Sequence, residues 1–309
     1  MSSNGCNPAL LAVVLSLALA AQAEAQSSLG VRANGMGGAF VGVADDATAV
    51  YWNPAGLATG AIVSMNVEFG GLQPAGTGDW GPRHALVAFS LPPAGLAYYR
   101  QGSFAVAPPE AGVADPQSRE EVRSSVHTIA TSTVAVSLLQ SLTEHIVVSA
   151  TPKVVWAGDS VRPDVDASMM LAANRFRVGV AARHLASPSF DRDEAGLTAV
   201  ELERHVRIGG GWGSGWPGYT RVVVAVDGDV TRRATPTGDR RDVAAGVETW
   251  WRERRFALRG GVRGSTVGEA RAVASLGASA LVAGFYLEGY VARGQADDRS
   301  WSLGLRYSF

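Results

Sequence analysis

The chain has 309 residues, too many for a minimal module and few enough for one large β domain. Its 27 Lys+Arg nearly balance its 28 Asp+Glu, which excludes a basic field for nucleic acid and an acidic tail. One cysteine, Cys6, leaves no disulfide scaffold to build.

Residues 1–25 read as a secretory signal. A polar stretch leads into the apolar run Ala9 to Ala20, and Ala23-Glu24-Ala25 supplies a small-x-small cleavage pattern, so cleavage is expected after Ala25. The run is too short to cross a bilayer as a helix. Cys6 lies ahead of it and leaves with the signal, so the mature chain has no thiolate for a metal or a nucleophile.

The next stretch, ADDATAVYWNPAGLA at 44–58, departs from everything downstream. Asp45 or Asp46 can cap a short helix by accepting from N–H groups two or three residues on, and Ala47, Val50 and Tyr51 would share one face of it. Asn53 precedes Pro54 and so disfavours helical backbone, while Gly56 allows a tight reversal. The glycine-rich stretch before it, GVRANGMGGAFVGVA, is not a dinucleotide loop: no strand precedes it, Phe40 stands at the third glycine position, and no Gly-Lys-Ser/Thr follows.

From residue 61 the pattern is alternation with period two. In SWSLGLRYSF, Trp301, Leu303, Leu305, Tyr307 and Phe309 share one face; in RFALRGGVRG, Arg255, Arg259 and Arg263 lie opposite Phe256, Leu258 and Val262; in RFRVGVAAR, Arg175, Arg177 and Arg183 lie opposite Phe176, Val178 and Val180. Strands are predicted at 61–70, 84–91, 95–100, 124–138, 144–157, 165–172, 175–185, 202–212, 219–230, 240–251, 255–264, 270–282, 284–294 and 300–309. Many of these are near the length that a tilted strand needs to cross hydrocarbon, and their even number suits a closed antiparallel barrel. Short links alternate with longer ones, as periplasmic turns and outer loops do when both termini are periplasmic. The fold expected is therefore an all-β transmembrane barrel of about 14 strands.

Arginine sets the register, because a one-residue slip would turn guanidinium groups toward lipid at about 2–4 kcal/mol each near the midplane. The parity that puts Arg175, Arg177, Arg183, Arg255, Arg259 and Arg263 inside also places Glu203, His205, Arg207, Arg221, Asp227, Asp229, Asp242, Glu248, Glu288 and Arg306 there. Both signs occur, so paired charges that fill and stiffen the barrel are expected ahead of an ion filter. Trp250, Trp251, Trp301 and Tyr307 are expected in an aromatic girdle facing lipid.

GMGGAFVGVADDATAVYWNPAGLA, residues 35–58, resembles the N-terminal signature of the FadL (OMPP1/TodX) superfamily of outer-membrane barrels, and especially its shorter PorV-type branch. The resemblance implies that residues 26–60 form a short helical plug in the lumen of a barrel spanning 61–309. The plug motif would be Asp45, Asp46, Tyr51, Trp52, Asn53, Pro54 and Gly56, with the Asn-Pro-Ala-Gly element leading into the first strand. It also implies that Phe309 is the aromatic signal read by the barrel assembly machinery. Two functions follow from the two branches: passive transport of hydrophobic small molecules across the outer membrane, or a secretion-accessory role that binds exported proteins. Long outer loops of the large transporters have no clear counterpart here, so no ligand contacts carry over.

No enzyme, metal or cofactor is expected. The five histidines, His84, His127, His145, His184 and His205, lie apart in sequence and fall in no Ser/His/acid or metal-ligand spacing. Partners are expected to be outer-membrane lipid, the assembly machinery, and hydrophobic compounds or secreted proteins, with no nucleic acid.

Overall fold

The structure, a computed structural model, describes residues 28–73, 83–106, 126–190, 200–216, 221–233, 239–268, 270–295 and 298–309. The expected signal at 1–25 lies outside them, as do 74–82 and 107–125 among the expected loops.

Fourteen antiparallel strands close into a barrel. In chain order they are β1 Ser64–Gln73, β2 Arg83–Leu91, β3 Ala94–Val106, β4 Val126–Ser141, β5 Ile146–Ala157, β6 Ser160–Ala173, β7 Phe176–Arg183, β10 His205–Gly213, β11 Val222–Asp229, β12 Asp242–Trp251, β13 Phe256–Ser265, β14 Val273–Val282, β15 Phe285–Gly294 and β16 Arg299–Ser308. Each strand pairs with its neighbour along the chain, and β1 pairs with β16 from Ser64↔Ser308 to Gln73↔Arg299, so no edge is left. Closure satisfies the backbone N–H and C=O groups within the sheet, the condition for β structure in hydrocarbon. A two-stranded ribbon outside the barrel, β8 Ser189–Phe190 with β9 Val200–Glu201, decorates the link from β7 to β10 and was not foreseen from sequence.

All fourteen expected strands are present; most bounds shift by three residues or fewer at either end, and two strands are markedly longer than expected. β3 continues to Val106, beyond the expected end at 100, and β6 begins at Ser160, so Gly158 and Asp159 alone turn the chain where a longer loop over 158–164 was expected. Gly158 takes φ +56°, the left-handed conformation that a two-residue hairpin turn requires.

Burial follows the period-two pattern. In β16, Ser302 and Arg306 are buried while Leu303, Leu305 and Tyr307 are exposed; in β13, Arg259 is buried while Phe256, Leu258 and Val262 are exposed. Leu276, Val291 and Leu287 extend this apolar outer face, and Phe69 meets Trp301 edge-to-face at 5.9 Å on it. An apolar exterior around a polar interior is the inverse of a soluble sandwich. Leu276→Arg on the outer face of β14 is therefore expected to destabilise the folded barrel by about 2–4 kcal/mol, read from urea unfolding in lipid vesicles, whereas Ser275→Thr, pointing inward, is expected to cost far less.

Trp250 corrects the expected girdle. It shares the inward parity of Glu248 and is only 3% exposed, stacked edge-to-face on Tyr286 at 5.6 Å with the guanidinium of Arg254 4.8 Å from its ring. Trp251, one residue on, does face outward at 44% exposure. A tryptophan can stay inside a charged lumen because its ring face attracts cations, and Arg259 and Arg306 also lie within 6 Å of it.

Candidate functional site

Residues 29–57 occupy the barrel interior and are almost entirely buried. The segment contains two short helices, α1 Val31–Gly35 and α2 Ala49–Trp52, and a 3-10 turn at Pro54–Thr59. The short helix expected after Asp45 or Asp46 is thus a single turn starting at Ala49, and Ala47 lies before it. Asp46 does accept from the Thr48 N–H at 3.0 Å, two residues on, but Asp45 faces arginines instead. Asn53 ends the helix as expected: its backbone leaves helical geometry, and its side-chain amide donates to the carbonyls of Val41 at 2.8 Å and Met169 at 3.2 Å. Gly56 serves close approach more than reversal, because a Cβ there would fall 2.0 Å from the Ala44 carbonyl oxygen.

Inward carboxylates of the wall grip this segment by its backbone. Glu68 on β1 accepts from the Gly30 and Val31 N–H groups at 2.6 and 2.7 Å, satisfying free donors at the start of α1. Asp227 on β11 accepts from the Phe40 and Val41 N–H groups at 2.7 and 2.8 Å. On β6, Ser168 Oγ accepts from the Ala55 N–H at 3.1 Å. Trp52 donates its indole N–H to the Leu29 carbonyl at 2.8 Å, and the Tyr51 hydroxyl accepts from Gln101 at 2.9 Å beneath the Arg183 guanidinium, 3.8 Å from the ring centroid.

A relay of alternating charges crosses the lumen on the side of the C-terminus. Arg32 forks onto Glu248 with two hydrogen bonds of 2.8 Å and also pairs with Asp45 and Asp46. Glu248 accepts from Arg259 at 2.6 Å; Arg259 and Arg306 then converge on Glu288 at 3.1 and 3.2 Å. Arg177 reaches Asp45 at 3.3 Å and lies 3.8 Å over the Trp216 ring. Burial alone would raise the Asp45 carboxyl, but the adjacent Arg32 and Arg177 charges hold it below the usual carboxylate range.

The other expected inward residues divide into two groups. Arg183, Arg207, Asp227, Asp229, Asp242, Arg263 and His205 do lie on the inner wall, with Arg207 bound to Asp229 at 2.7 Å and His205 to the same carboxylate at 2.9 Å. Arg175, Arg221 and Arg255 share that parity but sit in the links before β7, β11 and β13, where the sheet ends and their side chains are exposed. Glu203 lies in the link before β10, half-buried, and not on a strand. Parity holds only while the pleat continues, so positions beyond a strand end lose it.

The closed sheet also assembles a cluster that sequence spacing did not foretell. Lys153 on β5 lies 3.1 Å from Asp164 and 2.6 Å from Asp166 on β6, and His184, just past β7, places Nδ1 2.7 Å from Asp164. Three potential metal ligands converge there, but the ammonium group of the only lysine already supplies the positive charge. His84 Nε2 similarly meets Ser302 Oγ at 2.6 Å across β2, β1 and β16, sealed in the wall. His145 is exposed on the β4–β5 link, and the side chain of His127 falls outside the described residues.

Among the described residues, two cavities flank residues 29–57 within the lumen. One, of about 380 Å3, opens toward the rim that carries the C-terminus and is bounded by Asp45, Glu248, Trp250, Arg306 and Phe309. The other, of about 110 Å3, lies toward the opposite rim, bounded by Tyr51, Trp52, Arg183, Arg207, Arg263 and Arg299.

No family model matches the sequence, and neither does any curated protein. Among solved structures, two crystal structures of the Pseudomonas putida toluene transporter TodX superimpose with TM-scores of 0.63 and 0.59 at 10% identity. Each alignment covers 91% of this chain, and 99% and 96% of the TodX chains respectively. The fold is that of the TodX barrel. The TodX-like architecture thus extends over nearly the whole chain, well beyond the 24-residue stretch, 35–58, that carried the resemblance in sequence.

Proposed function

We propose that this chain is a bacterial outer-membrane barrel for passive transport of small hydrophobic compounds, with residues 26–60 as its plug. The observation that carries the reading is the N-terminal segment seated across the lumen with a cavity on either side, in a barrel folded like a toluene transporter. The plug is held by polar contacts, with Glu68 and Asp227 gripping exposed amides and the Arg32 relay fixing its near end. Such contacts are specific, and small displacements exchange them for water in an adjoining cavity. The outer face contacts lipid. The exposed Phe309, paired through its backbone with Val63 at 2.9 and 3.0 Å, suits recognition by the assembly machinery. Cleavage near Ala25 and periplasmic termini complete the reading.

One observation favours the secretion-accessory alternative. The relay from Asp46 through Arg32, Glu248, Arg259 and Glu288 to Arg306 spans the lumen on the C-terminal side, and a barrel sealed there would offer partners its outer surface instead of a path.

Uptake of radiolabelled toluene into proteoliposomes separates the two, comparing the mature chain with a form lacking residues 26–58. Transport predicts uptake by the mature chain above empty vesicles, and faster uptake by the truncated form. Uptake by neither form would reject transport and leave the accessory reading.

A further inference from the structure

The smaller cavity, on the far side of the plug segment, is lined for charge. Its wall carries seven arginines against two aspartates in a volume of about 110 Å3. Several of these arginines are matched locally: Arg207 binds Asp229 at 2.7 Å, and Arg233 and Arg240 share Asp242 at 3.2 and 3.1 Å. Arg183 is different, since its guanidinium lies over the face of Tyr51 and its buried Nε has no acceptor. Arg263 is also different: among the described residues no hydrogen bond or ion pair engages it, although it is half-buried on β13 in the cavity wall. Among the described residues, Asp227, Asp229 and Asp242 at this wall are already committed to plug amides or to other arginines, and Asp298 is engaged as well.

An excess of guanidinium groups in a confined, partly dehydrated space concentrates a positive field and raises the local concentration of anions. Guanidinium matches an oxyanion in particular, because its fork donates two parallel hydrogen bonds to two oxygens. Size narrows the ligand further. An apolar cavity of roughly 150 Å3 holds benzene, so about 110 Å3 takes a tetrahedral oxyanion or a short diacid but excludes a long acyl chain.

We propose that this cavity binds a small doubly charged oxyanion, phosphate or a short dicarboxylate, with Arg263 as its principal contact and Arg183 as a second. The ligand supplies hydrogen-bond acceptors that, among the described residues, Arg263 and the Nε of Arg183 lack. The site does not depend on passage of neutral compounds, so it stands or falls separately from toluene uptake.

The test is calorimetric titration of the full mature chain in detergent with inorganic phosphate and with malonate, using acetate and toluene as singly charged and neutral probes. Saturable binding of phosphate and malonate is expected, each displacing the other, with neither acetate nor toluene competing. Arg263→Gln is expected to weaken phosphate binding by about tenfold or more, whereas Arg83→Gln, on the exposed far end of β2 and outside the cavity, is expected to leave it unchanged. Heat-modified gel mobility reports whether each variant folds, and the phosphate–malonate competition in the native chain needs no variant. Absence of saturable phosphate binding, or equal weakening by both substitutions, would overturn the proposal.

Discussion

Glu248→Ala is expected to cost about 3–5 kcal/mol and to loosen the N-terminal segment from the wall. Glu248 is completely buried and accepts from Arg32 on the segment and Arg259 on β13, so truncation leaves two guanidinium groups facing each other without the shared anion. Buried charge that loses its partner is far more costly than the pair is stabilising, because water cannot return to a closed site. The relay also makes the loss non-local: Arg259 would be drawn entirely to Glu288, which Arg306 and Ser279 already occupy. Denaturant unfolding in vesicles gives the energy, and protease nicking between residues 28 and 60 gives the release of the segment. The double replacement Arg32→Met with Glu248→Leu removes both charges and is expected to recover part of the loss; a double variant as poor as the single one would place the energy elsewhere.

Gly261→Val is expected to expel the segment while leaving the barrel closed. A Cβ at Gly261 would lie 2.1 Å from the Met36 carbonyl carbon and 2.2 Å from the Gly37 nitrogen, and both are backbone atoms with no rotamer in which to escape. The opposing side is equally tight, since Gly37, at φ +71°, would place a Cβ 2.6 Å from the Val262 nitrogen. Overpacking of a filled interior costs about 1–3 kcal/mol and often more when backbone must move. The strand itself is unharmed, because valine suits a β-strand and Gly261 pairs with Gly246 and Ser275 by backbone alone. Single-channel conductance in planar bilayers is expected to rise from near closed to an open-pore level. Gly260→Val is the control: its Cβ would point outward, with the nearest atom 3.8 Å away, and conductance is expected to stay unchanged. An open pore from both substitutions, or from neither, would contradict backbone contact as the seal.

The barrel was legible in sequence because its two determinants are local. Alternation of apolar and polar residues reports which side of a pleated strand meets lipid, and Arg177, Arg259 and Arg306 cannot be turned outward without a large desolvation cost. The lumen was less legible. Arg175, Arg221 and Arg255 follow the same alternation, yet each stands one residue or more outside its strand, where turn backbone redirects the side chain to water. Trp250 is ambiguous in sequence because aromatic character suits both a membrane interface and a nest of guanidinium groups, and only its parity with Glu248 separates them.

Contacts between residues far apart in the chain had no local signature at all. Glu68 meeting Gly30, Asp227 meeting Phe40, and Arg32 meeting Glu248 across 216 positions depend on how a closed cylinder brings its wall to its interior. Lys153, Asp164, Asp166 and His184 come together only because β5, β6 and β7 are neighbours in register. Strand identity, register and the lipid-facing side were written in near-neighbour chemistry, where the period of the pleat and the cost of charge in hydrocarbon suffice. Which buried charges pair, and what the lumen encloses, arose from closure, because electrostatic partners inside a barrel are chosen by distance in space and by exclusion of water.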